Sequence, residues 1–144
     1  MVLQSWANAL DDHFVRPGSR LQKLMDQYQL TFVAFSPLAQ GLLLDKFDPA
    51  KPPQFEPGDH RRDSKQFQSP ELLRLKPKVQ KLKQRFGQKT EDLASMALNY
   101  VLAMPRVSCV IPGFRNERQA RCNLAGAGKK LSDDDVKFIR DALA

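Results

Sequence analysis

The sequence predicts an α/β fold, a partial (β/α)8 TIM-barrel, on three observations. The runs Thr31–Phe35 (TFVAF) and Val107–Ile111 (VSCVI) are short, apolar and rich in β-branched or aromatic residues, as buried parallel strands are. Each gives way to a bend-prone loop able to meet an anion, and the residues between them carry helical periodicity. Strands seven and eight of such a barrel have this arrangement, and phosphate groups commonly sit there. The chain has 144 residues, enough for a core but short of the roughly 250 that a whole barrel needs. The expectation is therefore an unassigned segment 1–19 followed by a partial barrel over 20–144.

Val2, Leu3, Trp6 and Leu10 suggest a short amphipathic helix, which Pro17 and Gly18 end. Ser19 can cap a helix over 20–29, with Leu21, Leu24, Met25 and Tyr28 on one face. The strand 31–35 and the polar loop Ser36–Gly41 follow. Residues 45–68 contain Pro49, Pro52, Pro53 and Pro57 and read as a long loop without regular structure. His60, Arg61 and Arg62 fall there, in what reads as a flexible solvated loop outside the candidate site. Ser69 and Pro70 open the next helix, Leu72, Leu73, Val79, Leu82 and Phe86 form its stripe, and Gly87 ends it. Pro77 should kink or split this helix near Lys76, because it removes a hydrogen bond and clashes with the preceding turn. Thr90 caps a helix over 91–103, whose core face is Leu93, Met96, Ala97, Tyr100 and Val101. The strand at Val107, Val110 and Ile111 should be fully buried. Ser132 caps the last helix, with Asp133, Asp134 and Asp135 at its positive end and Val136, Ile139 and Leu143 inward.

The net charge is +7, which favours anionic partners. Much of the excess lies in Lys76, Lys78, Lys81, Lys83 and Arg85. They read as a solvated helix face, the alternative being a surface for nucleic acid or an acidic partner. No aromatic residues interleave with them as stacking platforms would require, so nucleic acid is disfavoured as a partner. No run approaches the ~18 apolar residues of a membrane span. Asp11, Asp12 and His13 follow Trp6 too closely for a secretory signal, so the expectation is a cytoplasmic protein with no membrane partner. Cys109 and Cys122 suggest a reducing compartment and buried thiols, and no Cys/His cluster has metal-ligand spacing.

The chemistry concentrates in residues 107–123. Pro112 and Gly113 end a strand, and Asn116 can cap a helix running through Gln119 to Leu124. Such a turn presents backbone N–H groups to an anion. Arg115 lies beside that position and can grip a phosphate with two donors. Gln119 and Asn123, four residues apart, share a helix face and point back toward the same place. A phosphate, a basic fork and two amides describe a nucleotide site. The alternative is an ordinary βα turn with a surface arginine.

The run Phe35–Leu43 (FSPLAQGLL) and the run Val110–Asn123 (VIPGFRNERQARCN) resemble the C-terminal cofactor motifs of the aldo-keto reductases. The resemblance covers about residues 20–143 and includes Gly58, Asp59, His60 and Arg61 as well as Leu131 and Ser132. It implies an oxidoreductase barrel that binds NADP(H) and reduces aldehydes and ketones. It implies that Ser36, Pro37, Leu38, Gln40 and Leu42 lie along the cofactor pyrophosphate. Gly113 and Arg115 would hold the adenosine 2′-phosphate, and Gln119 and Asn123 would read the adenine edge. Cys122 stands where the family usually has glutamate, which removes one acceptor for the adenine amino group.

The family's Asp, Tyr, Lys and His catalytic set comes from earlier strands with no counterpart here, so no catalytic residue is assigned. Three readings follow. The chain is a truncated aldo-keto reductase inactive alone; or it gains activity by assembling with another copy or a complementing chain; or its basic helix makes it a binding module for nucleic acid or an acidic partner.

Overall fold

The computed structural model describes residues 1–144. In chain order it contains β1 (Val2–Trp6), α1 (Arg20–Gln27), β2 (Thr31–Phe35), α2 (Ser69–Phe86), α3 (Thr90–Leu102), β3 (Val107–Ile111), α4 (Glu117–Gly126) and α5 (Asp133–Leu143). Short 3₁₀ turns occur at Ala39–Leu44 and Lys65–Phe67. The three strands form one parallel sheet in the order β1-β2-β3, as a segment of a (β/α)8 barrel does.

The expected N-terminal amphipathic helix is a strand instead. Val2 to Trp6 pair in register with Thr31 to Phe35. Leu3 and Ser5 turn toward the helices while Val2, Gln4 and Trp6 are exposed, a period of two rather than 3.6. What decides the segment is the ladder offered by β2, which local apolar spacing does not reveal.

The pleat divides the sheet into two faces. Phe32 and Ala34 are fully buried, and Leu3, Val107 and Val110 pack with them against the helices. The opposite face, which lines the interior of a closed barrel, carries Gln4, Val33 and Cys109 in one row and Trp6, Phe35 and Ile111 in the next. It is uncovered here. The expected full burial of β3 is accordingly not found: Ser108, Cys109 and Ile111 are exposed, because β3 is an edge strand with one bare face. A register shift opposite Phe32 and Val33 makes Ser108 the extra residue, and its hydroxyl donates to the Phe32 carbonyl at 3.2 Å.

Helix α3 is the centre of the core. Its residues Leu93 through Val101 are all buried, as expected of a helix covered on every side. Helix α4 approaches so closely that a Cβ at Gly126 would stand 2.9 Å from the Ser95 Cα. Asn99 Nδ2 donates to the Gly126 carbonyl at 2.7 Å. Tyr100 is wholly buried, and its hydroxyl donates to Asp12 at 2.7 Å, joining the N-terminal loop to α3. Arg140 of α5 reaches the same carboxylate at 3.3 Å.

The expected caps are present at Ser19, Asn116 and Ser132, each side chain accepting from an amide of the first turn. Helix α3 starts one residue earlier than expected, with Lys89 as cap residue; its amide donates to Asp92 at 3.1 Å. Helix α2 neither splits nor ends at Pro77. Pro77 lies on an exposed face, so water can serve the carbonyl of Leu73 that a normal residue would bond.

Candidate functional site

Two loops meet at the C-terminal edge of the sheet. The first leaves β2 through a series of left-handed backbone conformations: Ser36 at φ 56°, Ala39 at 48°, Gln40 at 55° and Gly41 at 94°. Pro37, Ala39, Leu42 and Leu43 are buried beneath it, and Leu38 is half-buried against the core. These apolar anchors hold the polar backbone of Ser36–Gly41 at the surface. Non-glycine residues with positive φ are uncommon, and three in six residues mark a loop whose shape is imposed by its surroundings.

The second loop leaves β3 through Pro112 and Gly113. Open space surrounds the position a Cβ would take at Gly113. Asn116 accepts from the Gln119 amide at 3.0 Å, starting α4. Gln119 Oε1 accepts from the Arg115 backbone amide at 2.7 Å. Asn123 is buried, and its Nδ2 donates to the Gly113 carbonyl at 3.5 Å. The two amides of α4 thus brace the turn that carries Arg115, whose own side chain is exposed.

The segment 45–68 is irregular apart from one 3₁₀ turn, as expected, but it is not a free solvated loop. Arg61 is only 13% exposed along its side chain; it forms a two-pronged pair with Asp59 and lies 4.2 Å over the Phe55 ring. That pairing holds Asp59 well below the usual carboxylate range. His60 meets the Gln40 carboxamide at 3.2 Å, tying this segment to the first loop.

Lys46, which no sequence motif marks, completes the arrangement. Its chain lies across Gly41, where a Cβ would come within 2.2 Å of Lys46 Cε. Desolvation of its ammonium, with Arg61 and Arg115 nearby, lowers its pKa below the ordinary lysine value. Three cations, Lys46 and Arg61 from segment 45–68 and Arg115 from the second loop, therefore stand near one another. Like charges so placed repel, and a bound anion would relieve the repulsion. Only the lysine following a glycine-containing loop could have hinted at this in the sequence, and such a hint is weak.

The thiols are not buried as expected. Cys109 is exposed on the edge strand and Cys122 is half-buried. Cys122 lines an open groove of about 500 Å³ with Glu91, Glu117, Arg118, Arg121 and Ala125. Burial and the neighbouring Glu91 raise its pKa, with Arg118 opposing. No group of three or more His, Cys, Asp or Glu side chains is placed to hold a metal ion. No helix is long and apolar enough to cross a membrane.

Comparison with known proteins agrees with this architecture. Over 124 residues the chain is 30% identical to the aldo-keto reductase str7 of Strobilurus tenacellus, covering 86% of this chain and 36% of that protein. It is 27% identical over 127 residues to the aldo-keto reductase yakc [NADP(+)] of Schizosaccharomyces pombe, covering 88% of this chain and 37% of that one. In fold it resembles the glycerol dehydrogenase AKR11B4 from Gluconobacter oxydans, with a TM-score of 0.75 at 21% identity, over 99% of this chain and 42% of that one. The holo form of the aldo-keto reductase AKR11C1 from Bacillus halodurans gives a TM-score of 0.63 at 18% identity, with the same coverage. The chain thus spans little more than a third of the length of these curated relatives. The model of the aldo/keto reductase family matches residues 1–144, and the chain belongs to that family.

Proposed function

We propose that this chain is the NADP(H)-gripping part of a carbonyl oxidoreductase barrel and carries no catalytic acid of its own. The observation behind this reading is the convergence of Lys46, Arg61 and Arg115 beside the two loops. Those loops hold Ser36, Pro37, Leu38, Gln40 and Leu42 on one side and Gly113, Gln119 and Asn123 on the other. The donor set fits a dinucleotide carrying several phosphates: Arg61 held by Asp59, the exposed cations Lys46 and Arg115, an open glycine and a braced turn. NADP(H), when bound, supplies the hydride. The residues of this chain bind and orient its phosphates and adenosine. Neither tyrosine is a proton donor on this reading. Tyr100 is buried against Asp12, and Tyr28 lies at the C-terminal end of α1, at the opposite end of the sheet from the loops.

Titration with NADPH, by fluorescence or calorimetry, tests the assignment. We expect micromolar binding that Arg115→Ala weakens by about tenfold or more, as loss of a charged phosphate contact would. An isolated chain that ignores millimolar NADPH would remove the assignment.

The bare inner face of the sheet favours a second reading, that activity requires further strands. Parallel sheets are ordinarily covered on both faces, and both edge strands here offer unpaired backbone groups. On this reading another polypeptide supplies the remaining strands and the catalytic residues. Coexpression with the N-terminal part of a family member should then restore carbonyl-dependent NADPH oxidation. The nucleic-acid reading draws less support. Lys76 and Lys83 pair with Asp45, Lys78 donates to the carbonyls of Leu143 and Ala144, and Arg85 pairs with Asp135.

A further inference from the structure

We infer that Asp45 is a positioning residue, which fixes Lys46 against the phosphate-facing loop by anchoring it to the basic face of α2; the inference rests on the NADP(H) reading above. Asp45 closes the 3₁₀ turn in the left-handed region, at φ 53° and ψ 32°. Its carboxylate is 9% exposed and accepts from three side chains of α2. Oδ1 takes the Lys76 ammonium at 2.7 Å, and Oδ2 takes Gln80 Nε2 at 3.0 Å and the Lys83 ammonium at 2.8 Å. These donors lie 31 to 38 residues away in sequence, so the bond is tertiary.

The very next residue is Lys46. With Arg61 and Arg115 nearby, an unrestrained lysine would swing away into water, since repulsion pushes it outward and a long side chain has many rotamers. Two features oppose this. The missing side chain at Gly41 leaves space that the end of the Lys46 side chain, Cε and Nζ, occupies at the exposed surface. The Asp45 anchor fixes the backbone from which that side chain departs. The basic helix that reads as a solvated face thereby acquires a role, since three of its side chains set the position of a cation that belongs to another loop.

A double-mutant cycle separates positioning through Lys46 from a general structural role. NADPH affinity is measured for the native chain, Asp45→Gly, Lys46→Met and the combined variant. Glycine tolerates the left-handed backbone, so Asp45→Gly removes the anchor with little backbone strain. We expect Asp45→Gly to weaken NADPH about tenfold in the native background, as loss of one charged contact would. With Lys46 already replaced, it should cost less than about twofold, because the residue it positions is gone. Equal losses on both backgrounds, or none, would overturn the inference. Lys83→Met loosens the anchor from the helix side and should repeat the native-background result.

Should the native chain bind no NADPH, the NADP(H) reading fails by itself. The positioning is then decided by the side-chain nitrogen resonance of Lys46 in lysine-labelled protein. A clear shift on Asp45→Gly supports it, and an unmoved resonance overturns it.

Discussion

A carboxylate held by two ammonium groups ties stability to acid in a definite direction. Burial would raise the pKa of Asp45, but hydrogen bonds and charge from Lys76 and Lys83 outweigh it and leave the group below its ordinary value. A depressed folded-state pKa means stability that is complete above the unfolded value, about 4, and lost as pH falls through the lower folded value. The urea midpoint of the native chain should therefore fall more steeply than that of Asp45→Asn between about pH 5 and pH 2. Parallel acid limbs would show that the anchor contributes nothing. None of this was legible locally. Asp45 reads as one acid in a Pro-rich loop, and its partners lie a whole segment away.

At the scale of elements, most boundaries follow from local chemistry. Ser19, Asn116 and Ser132 cap helices because a short polar side chain meets an orphan amide of the first turn. Helix α2 is the exception that carries a prediction. Pro77 interrupts its hydrogen bonding yet the helix continues, with the site facing water. Pro77→Ala restores the amide and should raise stability by about 1–3 kcal/mol, partly offset by the greater freedom of the unfolded chain. Urea denaturation measures it, and an unchanged or lower midpoint would mean that Pro77 costs the helix nothing. Strand β1 is the opposite case. VLQSW lacks a strong strand signal, and its apolar residues suit a helix as well as a strand.

For the whole molecule, the inner face of the sheet is the dominant feature. Trp6, Phe35 and Ile111 stand in one row across the C-terminal ends of the strands, all exposed. Trp6, the chain's single tryptophan, is 41% exposed and donates to Asp11 at 2.8 Å. Covering that face with further barrel strands would remove Trp6 from water. Its fluorescence should then move to shorter wavelength on mixing with a complementing N-terminal part, and an unmoved spectrum would count against assembly through this face.

The sequence by itself determined strands β2 and β3, the helices with their caps, and the pair of motifs that mark the family, because each is written in contiguous residues. It also placed Arg115, Gln119 and Asn123 on one turn and its helix. Tertiary structure alone decided that residues 2–6 are a strand, that β3 is bare rather than buried, and that Arg61 is held rather than free. It alone brought Lys46 beside Arg61 and Arg115 and tied Asp45 to α2. The division has one physical cause. Capping and periodicity act within a few residues, whereas strand pairing, exposure and charge convergence depend on which distant segments the fold brings together.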